Sequence, residues 1–365
     1  MEQKTIKYIR EINTKKNSAG TKAPGDIYVL CEKRGYEPYM VQYDYMSQTK
    51  REKLNWLLFS ALKEYRRMCK SLHSEDIVFH QHRDFRNVFL GKLLILAKKK
   101  KNFKLILLIH DLEFLRYAAE NKKWTYRIKS SLEKQILRSS DVVICHNEHM
   151  KDYLVKFGIP EEKLICLGLF DYLTNEKITE KPRPEETTFV FAGSLSPRKS
   201  GFIYELPSSG ILKHAKIDVY GPAYDERLGS KKISYKGVLS PEKLPNVLTG
   251  TFGLSWDGSS CETLQGTMGH YLPYINPHKV SLYLVSQLPV VISRNVGCAD
   301  FIQKNGLGIA IDSLNDLPGI VDKLGTDMYE QIQKNVIECS NKLNSGYFFY
   351  RALDKALEAI SKMHI

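Results

Sequence analysis

Arg198, Lys199 and Lys279 stand where a chain that handles phosphate would want cations. Asn276-Pro277-His278-Lys279 opens a helix, because Asn favours the N-cap and Pro the first helical position. Amides of a first turn lack intrahelical acceptors and the dipole makes that end positive, so a lysine there is out of place unless an anion sits beside it. Two readings stand for Lys279: a phosphate site, or an ordinary capped helix with a solvated lysine. Gly193-Ser194-Leu195-Ser196-Pro197-Arg198-Lys199 follows an apolar strand. Gly193 lets backbone approach a ligand closely, and Arg198 and Lys199 offer donors to phosphate oxygens. A second polar set, His110-Asp111 with Glu113 and Arg116, ends the apolar run 103–109, and His146-Asn147-Glu148 ends the run 141–145. Ligands of open parallel sheets bind just past the carboxyl ends of strands. Helix capping by Asp111 and Asn147 is the competing reading.

Those positions depend on an alternation of strands and helices. Strands are expected at 6–12, 36–43, 76–80, 103–109, 141–145 and 163–167, with helices at 24–34, 51–72, 85–99 and 123–138 between them. Pro24 would open the first helix after a polar loop, NTKKNSAGTKAPGD, and Gly35 would stop it. Two prolines among charges mark 174–186 as a linker. Beyond it come strands at 187–192, 216–220, 233–237, 252–256, 289–293 and 307–311. Ser240-Pro241-Glu242 has the signature of a helix start, 299–304 reads as a helix, and Val280, Tyr283, Leu284 and Leu288 form an apolar stripe on the Asn276 helix. This is an α/β pattern. The expected domains are 1–173, 187–346 and a last helix, 347–365, able to cross back to the first. Neither GxGxxG nor a P-loop is present.

With 365 residues, 43% hydrophobic and 26% charged, the chain suits two soluble domains. Its apolar runs are too short to cross a bilayer and its first residues lack a signal-peptide core, so a cytoplasmic protein is expected, at most peripheral at the inner face of the membrane. Seven cysteines without a CxxC pair suggest reduced thiols, and no histidine–cysteine spacing suggests zinc. The net charge of +13 suits phosphorylated substrates first and an anionic membrane surface second. Nucleic acid is not an expected partner, since no RNP-like, zinc-finger or helix-turn-helix motif accompanies the charge. The run Lys98–Lys101 reads as the solvated end of a helix, where cations suit the dipole.

The segments LLIHDLEFLR, SSDVVICHNEHMKDYL, FDYL, FAGSLSPRKSGFIY, FGLSWDG and YINPHKVSLYL, in that order, resemble a bacterial GT-B glycosyltransferase family. It includes the glucosyltransferase 3 enzymes of serine-rich-repeat adhesin glycosylation and β-1,6-galactofuranosyltransferases. The resemblance covers most of the chain. It implies two Rossmann-like domains whose parallel sheets face an interdomain cleft, and a UDP-sugar-dependent hexosyltransferase that uses no metal and acts on a glycan or glycoprotein acceptor. The absence of a DxD motif fits the metal-free expectation. UDP-glucose or a related donor competes with UDP-galactofuranose, and a non-catalytic partner subunit of the same fold is the other class. A homo-oligomer is compatible with the resemblance.

Carried over by the same resemblance, Arg198 and Lys279 would stabilise the leaving diphosphate. Gly193, Lys199, Asn276 and His278 lie in the same two motifs. Tyr220 and Gly221 would touch the nucleoside, or Tyr220 is a core tyrosine. Asp257 and Gly258 would contact sugar or diphosphate, or form a turn. Asp111 and His110 are the candidates for the base that activates the acceptor hydroxyl. The loop 14–26 would border the acceptor through Ser18, Gly20 and Thr21.

Overall fold

A computed structural model describes residues 6–11, 19–41, 49, 51, 60–84, 88–118, 123–176, 178, 184–264 and 266–363. The chain forms two compact units, Met1–Leu167 with Phe349–Ile365, and Gly168–Phe348.

In the first unit, β1 (Ile6–Glu11), β2 (Glu37–Val41), β3 (Ile77–His82), β4 (Lys104–Ile109), β5 (Val142–Cys145) and β6 (Leu164–Cys166) form one parallel sheet in the order β2-β1-β3-β4-β5-β6. Sheets covered on both faces need strands that are apolar throughout rather than alternating. β4 shows this: Leu105 to Ile109 are all fully buried. Among the described residues before Gly168, the helices of eight residues or more are α1 (Ala19–Lys33), α2 (Ala61–Ser71), α3 (Val88–Lys101), α4 (Trp124–Ser139) and α5 (Glu148–Lys156).

The second unit contains β7 (Thr187–Ala192), β8 (Ala215–Tyr220), β9 (Ile233–Tyr235), β10 (Phe252–Ser255), β11 (Val290–Ser293) and β12 (Gly308–Ile311), parallel in the order β12-β11-β10-β7-β8-β9. Its longer helices are α6 (His278–Val285) and α7 (Thr326–Ser345), while α8 (Tyr347–Lys362) passes into the first unit after Phe348. There Arg34 is paired with Asp354 and its guanidinium lies 4.2 Å from the Tyr350 ring centroid, and the Tyr350 hydroxyl donates to Leu30 O at 3.1 Å. Among the described residues no helix is long and apolar enough to cross a membrane.

Most strands fall within two residues of the sequence expectation; four other features do not. The loop expected over 14–26 is helix from Ala19, and Pro24 lies inside α1 rather than opening it. The cost of a missing amide is offset by burial of Ala23, Ile27, Leu30 and Cys31 and by a buried Lys22–Asp26 ion pair of 2.6 Å, one helical turn apart. Gly35 does end the helix, with φ of 69°. Ser240-Pro241-Glu242 makes a turn, its Ser240 carbonyl accepting from Lys243 and Leu244 N. Only Leu244–Val247 is helical there, since Pro245 leaves no amide to continue the pattern. The N-cap of α6 is Pro277, not Asn276, whose amide donates instead to Gly168 O. Finally, α7 has no counterpart among the sequence expectations, although Tyr329, Ile332, Val336, Cys339 and Leu343 repeat at helical spacing and are buried.

Six of the seven cysteines are buried and Cys166 is half-buried. Cys145 and Cys166 are register partners on β5 and β6, with sulfurs 3.8 Å apart.

Candidate active site

The second unit's sheet parts at β7 and β10: from β7 the chain moves one way to β8 and β9, and the other way to β10, β11 and β12. Such a switch point opens a crevice past the strand ends. α6 is fixed over it by Tyr283, whose buried hydroxyl accepts from Ala192 N at the end of β7 (2.9 Å) and donates to Leu254 O on β10 (3.1 Å). Gly253 makes room for this ring, since a Cβ there would lie 2.2 Å from Tyr283 Cγ.

Lys279 is one helical turn before Tyr283 and therefore on the same face. Its ammonium donates to Trp256 O (3.0 Å) and to Asp257 Oδ2 (3.1 Å), and lies 4.7 Å from the Phe191 ring centroid. Lys279 is thus neither solvated nor an isolated cation. Burial pushes its pKa down, Asp257 acts against that, and the charge of Lys199 adds to the depression. Asp257 Oδ1 is buried with no hydrogen-bond partner among the described residues.

The loop after β7 closes the site. Ser196 stands at the N-cap position of the single turn Pro197–Ser200, without a side-chain capping bond, and Arg198 and Lys199 on that turn are exposed. Lys199 O accepts from Gly258 N at 2.9 Å, so the Arg198–Lys199 turn is fastened to the loop after β10. Gly193 N donates to Tyr220 O, also at 2.9 Å. Gly221 has φ of 138°, and a Cβ there would stand 1.8 Å from Gly193 O. Only glycine fits that approach. Tyr220 is buried, which raises its hydroxyl to about 12.

The structure therefore gathers Gly193, Arg198, Lys199, Tyr220, Gly221, Asp257, Gly258 and Lys279 around one switch point. Asn276 and His278 are turned elsewhere: Asn276 bonds Gly168, and the His278 ring stacks on Tyr172 at 5.0 Å between centroids. Sequence reasoning placed Tyr283 in the apolar stripe of its helix and not at the site, and it did not single out Gly253. A glycine inside a buried strand, with a tyrosine four residues after the lysine, was the available signal.

The first unit presents a different group past β3 and β4. His110 Nε2 meets Gln81 Oε1 at 2.7 Å, and Gln81 in turn donates to Pro24 O at 3.2 Å. Asp111 is held by the Arg116 guanidinium, which also donates to Glu113 Oε1 at 2.6 Å. Burial, with Arg116 acting against it, raises Glu113 to about 7. Leu112, the N-cap of the turn Glu113–Arg116, supplies no capping bond. Fully buried Glu133 of α4 does so from a distance, accepting from Glu113 N (3.2 Å) and Phe114 N (2.8 Å) while facing His82 Nε2 at 2.7 Å. Asn147 caps α5 by accepting from Met150 N at 2.9 Å, the structural alternative considered for it. Asp111 does not cap a helix. This sheet parts between β1 and β3, and Asp111 ends the next strand over. Thr21 lies in the first turns of α1, half-buried, with Gly20 beside it; Ser18 lies outside the described residues. Among the described residues no group of three or more His, Cys, Asp or Glu side chains is placed to hold a metal ion.

The N-terminal domain of the Glucosyltransferase 3-like family matches residues 6–169, and its C-terminal domain matches residues 189–356. The chain belongs to the Glucosyltransferase 3-like family. It is 32% identical over 257 residues to the β-1,6-galactofuranosyltransferase WbbI of Escherichia coli (strain K12), spanning 70% of this chain and 72% of that one. It is 27% identical over 295 residues to Glucosyltransferase 3 of Streptococcus gordonii, spanning 78% and 80%. Among solved structures, sucrose-phosphate synthase from Thermosynechococcus elongatus superposes with a TM-score of 0.59 at 12% identity, covering 99% of this chain and 98% of that one. HepE from Anabaena in complex with UDP-glucose gives 0.55 at 12% identity, covering 99% and 100%. The fold is GT-B, and this family member is a glycosyltransferase.

Proposed function

We propose that this Glucosyltransferase 3-like protein transfers a hexose from a UDP-sugar to a glycan or glycoprotein acceptor without a metal ion. The observation that carries the reading is the cationic switch point, where a half-buried Lys279 is held by Tyr283-anchored α6 beside the exposed Arg198 and Lys199. Charge that grows on a departing diphosphate is best stabilised by cations already in place and shielded from water. Lys279 and Arg198 take that role, and Lys199 supports it. Gly193, Tyr220 and Gly221 form the wall for the nucleoside. Asp257 keeps one oxygen on Lys279 and has the other for a hydroxyl of the donor. Asn276 and His278 hold Gly168 and Tyr172 against the start of α6.

Asp111 accepts the acceptor's proton, with His110 as the second candidate, and Gly20 and Thr21 border the acceptor. The two relatives support both a glucosyl and a galactofuranosyl donor, the latter through the relative of higher identity. Calorimetric titration with UDP, then with UDP-glucose and UDP-galactofuranose in EDTA while hydrolysis is followed, tests the reading. Micromolar UDP binding and slow cleavage of one sugar are expected. No binding of UDP would reject the donor site and leave a non-catalytic subunit, and activity that EDTA abolishes would reject the metal-free mechanism.

A further inference from the structure

The outward face of α4 carries large apolar side chains that nothing among the described residues covers. Trp124 is 71% exposed and Ile128, one turn on, is 46% exposed. Leu132, a further turn along, is half-buried and extends the same stripe. A lone exposed apolar residue is ordinary, but an exposed tryptophan aligned with an isoleucine on one helix face is not.

Charge identifies what the face would meet. Lys123 and Arg127 flank the stripe, both exposed and neither ion-paired among the described residues, and Arg138 is exposed on the same side. The only acid of α4 is Glu133, fully buried on the opposite face and committed to His82 and the Glu113–Arg116 turn. A helix with a buried polar anchor inside and tryptophan, isoleucine and unpaired cations outside has the composition of an interfacial helix. Tryptophan favours the headgroup level of a bilayer, and unpaired cations favour anionic lipid.

We propose that the Trp124–Ile128 face of α4, with Lys123 and Arg127, is a docking surface for an anionic lipid bilayer. The helix is tied to the candidate acceptor side chains: Tyr126, on its other face, donates to Phe114 O at 2.9 Å, within the turn whose Arg116 holds Asp111. An acceptor displayed at a membrane surface would thus be met by the part of this unit that carries Asp111. The docking itself stands or falls independently of the transferase reading, because its test requires no turnover.

Full-length protein is sedimented with vesicles of phosphatidylcholine alone and with vesicles containing a third phosphatidylglycerol. Binding is expected only with phosphatidylglycerol and weakens as salt rises. Lys123→Glu with Arg127→Glu lowers partitioning about fivefold or more per position, since each cation near an anionic surface contributes about 1 kcal/mol. Trp124→Ser with Ile128→Ser lowers it at least about tenfold, while Trp124→Phe restores part of it. Melting temperature and UDP binding of the variants show whether they are folded. The proposal is overturned if wild type stays in the supernatant with phosphatidylglycerol, or if the Trp124→Ser, Ile128→Ser protein sediments as well as wild type. It is also overturned if light scattering shows a wild-type dimer that this variant converts to monomer, because the face would then belong to a second copy of the chain.

Discussion

The two units build parallel sheets of six strands and load their strand ends with opposite chemistry. Past β7 and β10 are Arg198, Lys199 and Lys279; past β4 are His110, Asp111 and Glu113, with His82 as the last residue of β3. In the second unit the anchor is a tyrosine hydroxyl that bridges two strands, and the glycines at 221 and 253 let backbone and ring come close. In the first unit the anchor is a buried carboxylate that caps a turn from another helix. The contrast teaches that strand order chooses where a ligand can lie, while the anchoring side chains choose which charge it meets. A cationic strand end suits a diphosphate, and one rich in carboxylates and imidazoles suits a proton to be removed.

The contrast breaks first at Asp111. Asp111→Asn should leave UDP affinity unchanged in calorimetry and lower transfer by roughly a hundredfold to ten-thousandfold, the range over which a general base acts. Normal transfer would move the base elsewhere. Lys279→Ala comes next, with turnover and UDP affinity lowered on the order of a hundredfold, and Arg198→Ala should share the effect. Unchanged UDP affinity in both would mean that the cationic strand end is not the donor side. Tyr283→Phe leaves Ala192 N unsatisfied in the core and should cost about 1–3 kcal/mol in urea unfolding. It sharpens the comparison by asking whether UDP affinity falls with the anchor of Lys279.

The smallest effect concerns Glu113. Its pKa in the folded chain, about 7, lies above the ordinary carboxylate value, so the unfolded chain loses that proton first as pH rises. Stability from this group is therefore lost between about pH 4.5 and 7, and Glu113→Gln should flatten the dependence of the urea midpoint over that window. An identical slope in the variant would mean that another group titrates there.

How far such features could be read from the chain depended on whether their cause was local. β4 and β7 announce themselves, because a strand covered on both faces must be apolar along its length. The basic residues after β7 and in α6 were legible for the same reason, as they follow such runs directly. Pro24 misled because its local meaning, a helix start, was overridden by burial of the residues around it. Asn276 misled similarly: a good cap on its own, it is drawn to Gly168, more than a hundred positions earlier. Glu133 was out of reach, since nothing in its own helix says that its carboxylate caps Glu113 and Phe114. α7 could have been found from its periodicity alone.

The seven free thiols divide between the units, with Cys31, Cys69, Cys145 and Cys166 in the first and Cys261, Cys298 and Cys339 in the second. Burial raises the last three to about 12, which leaves little thiolate for a reagent until the surrounding structure opens. Each unit thereby contains its own clock. Pulse alkylation in rising urea, read by peptide mass, records which half lets go first, with Cys166 marking the edge of the first sheet.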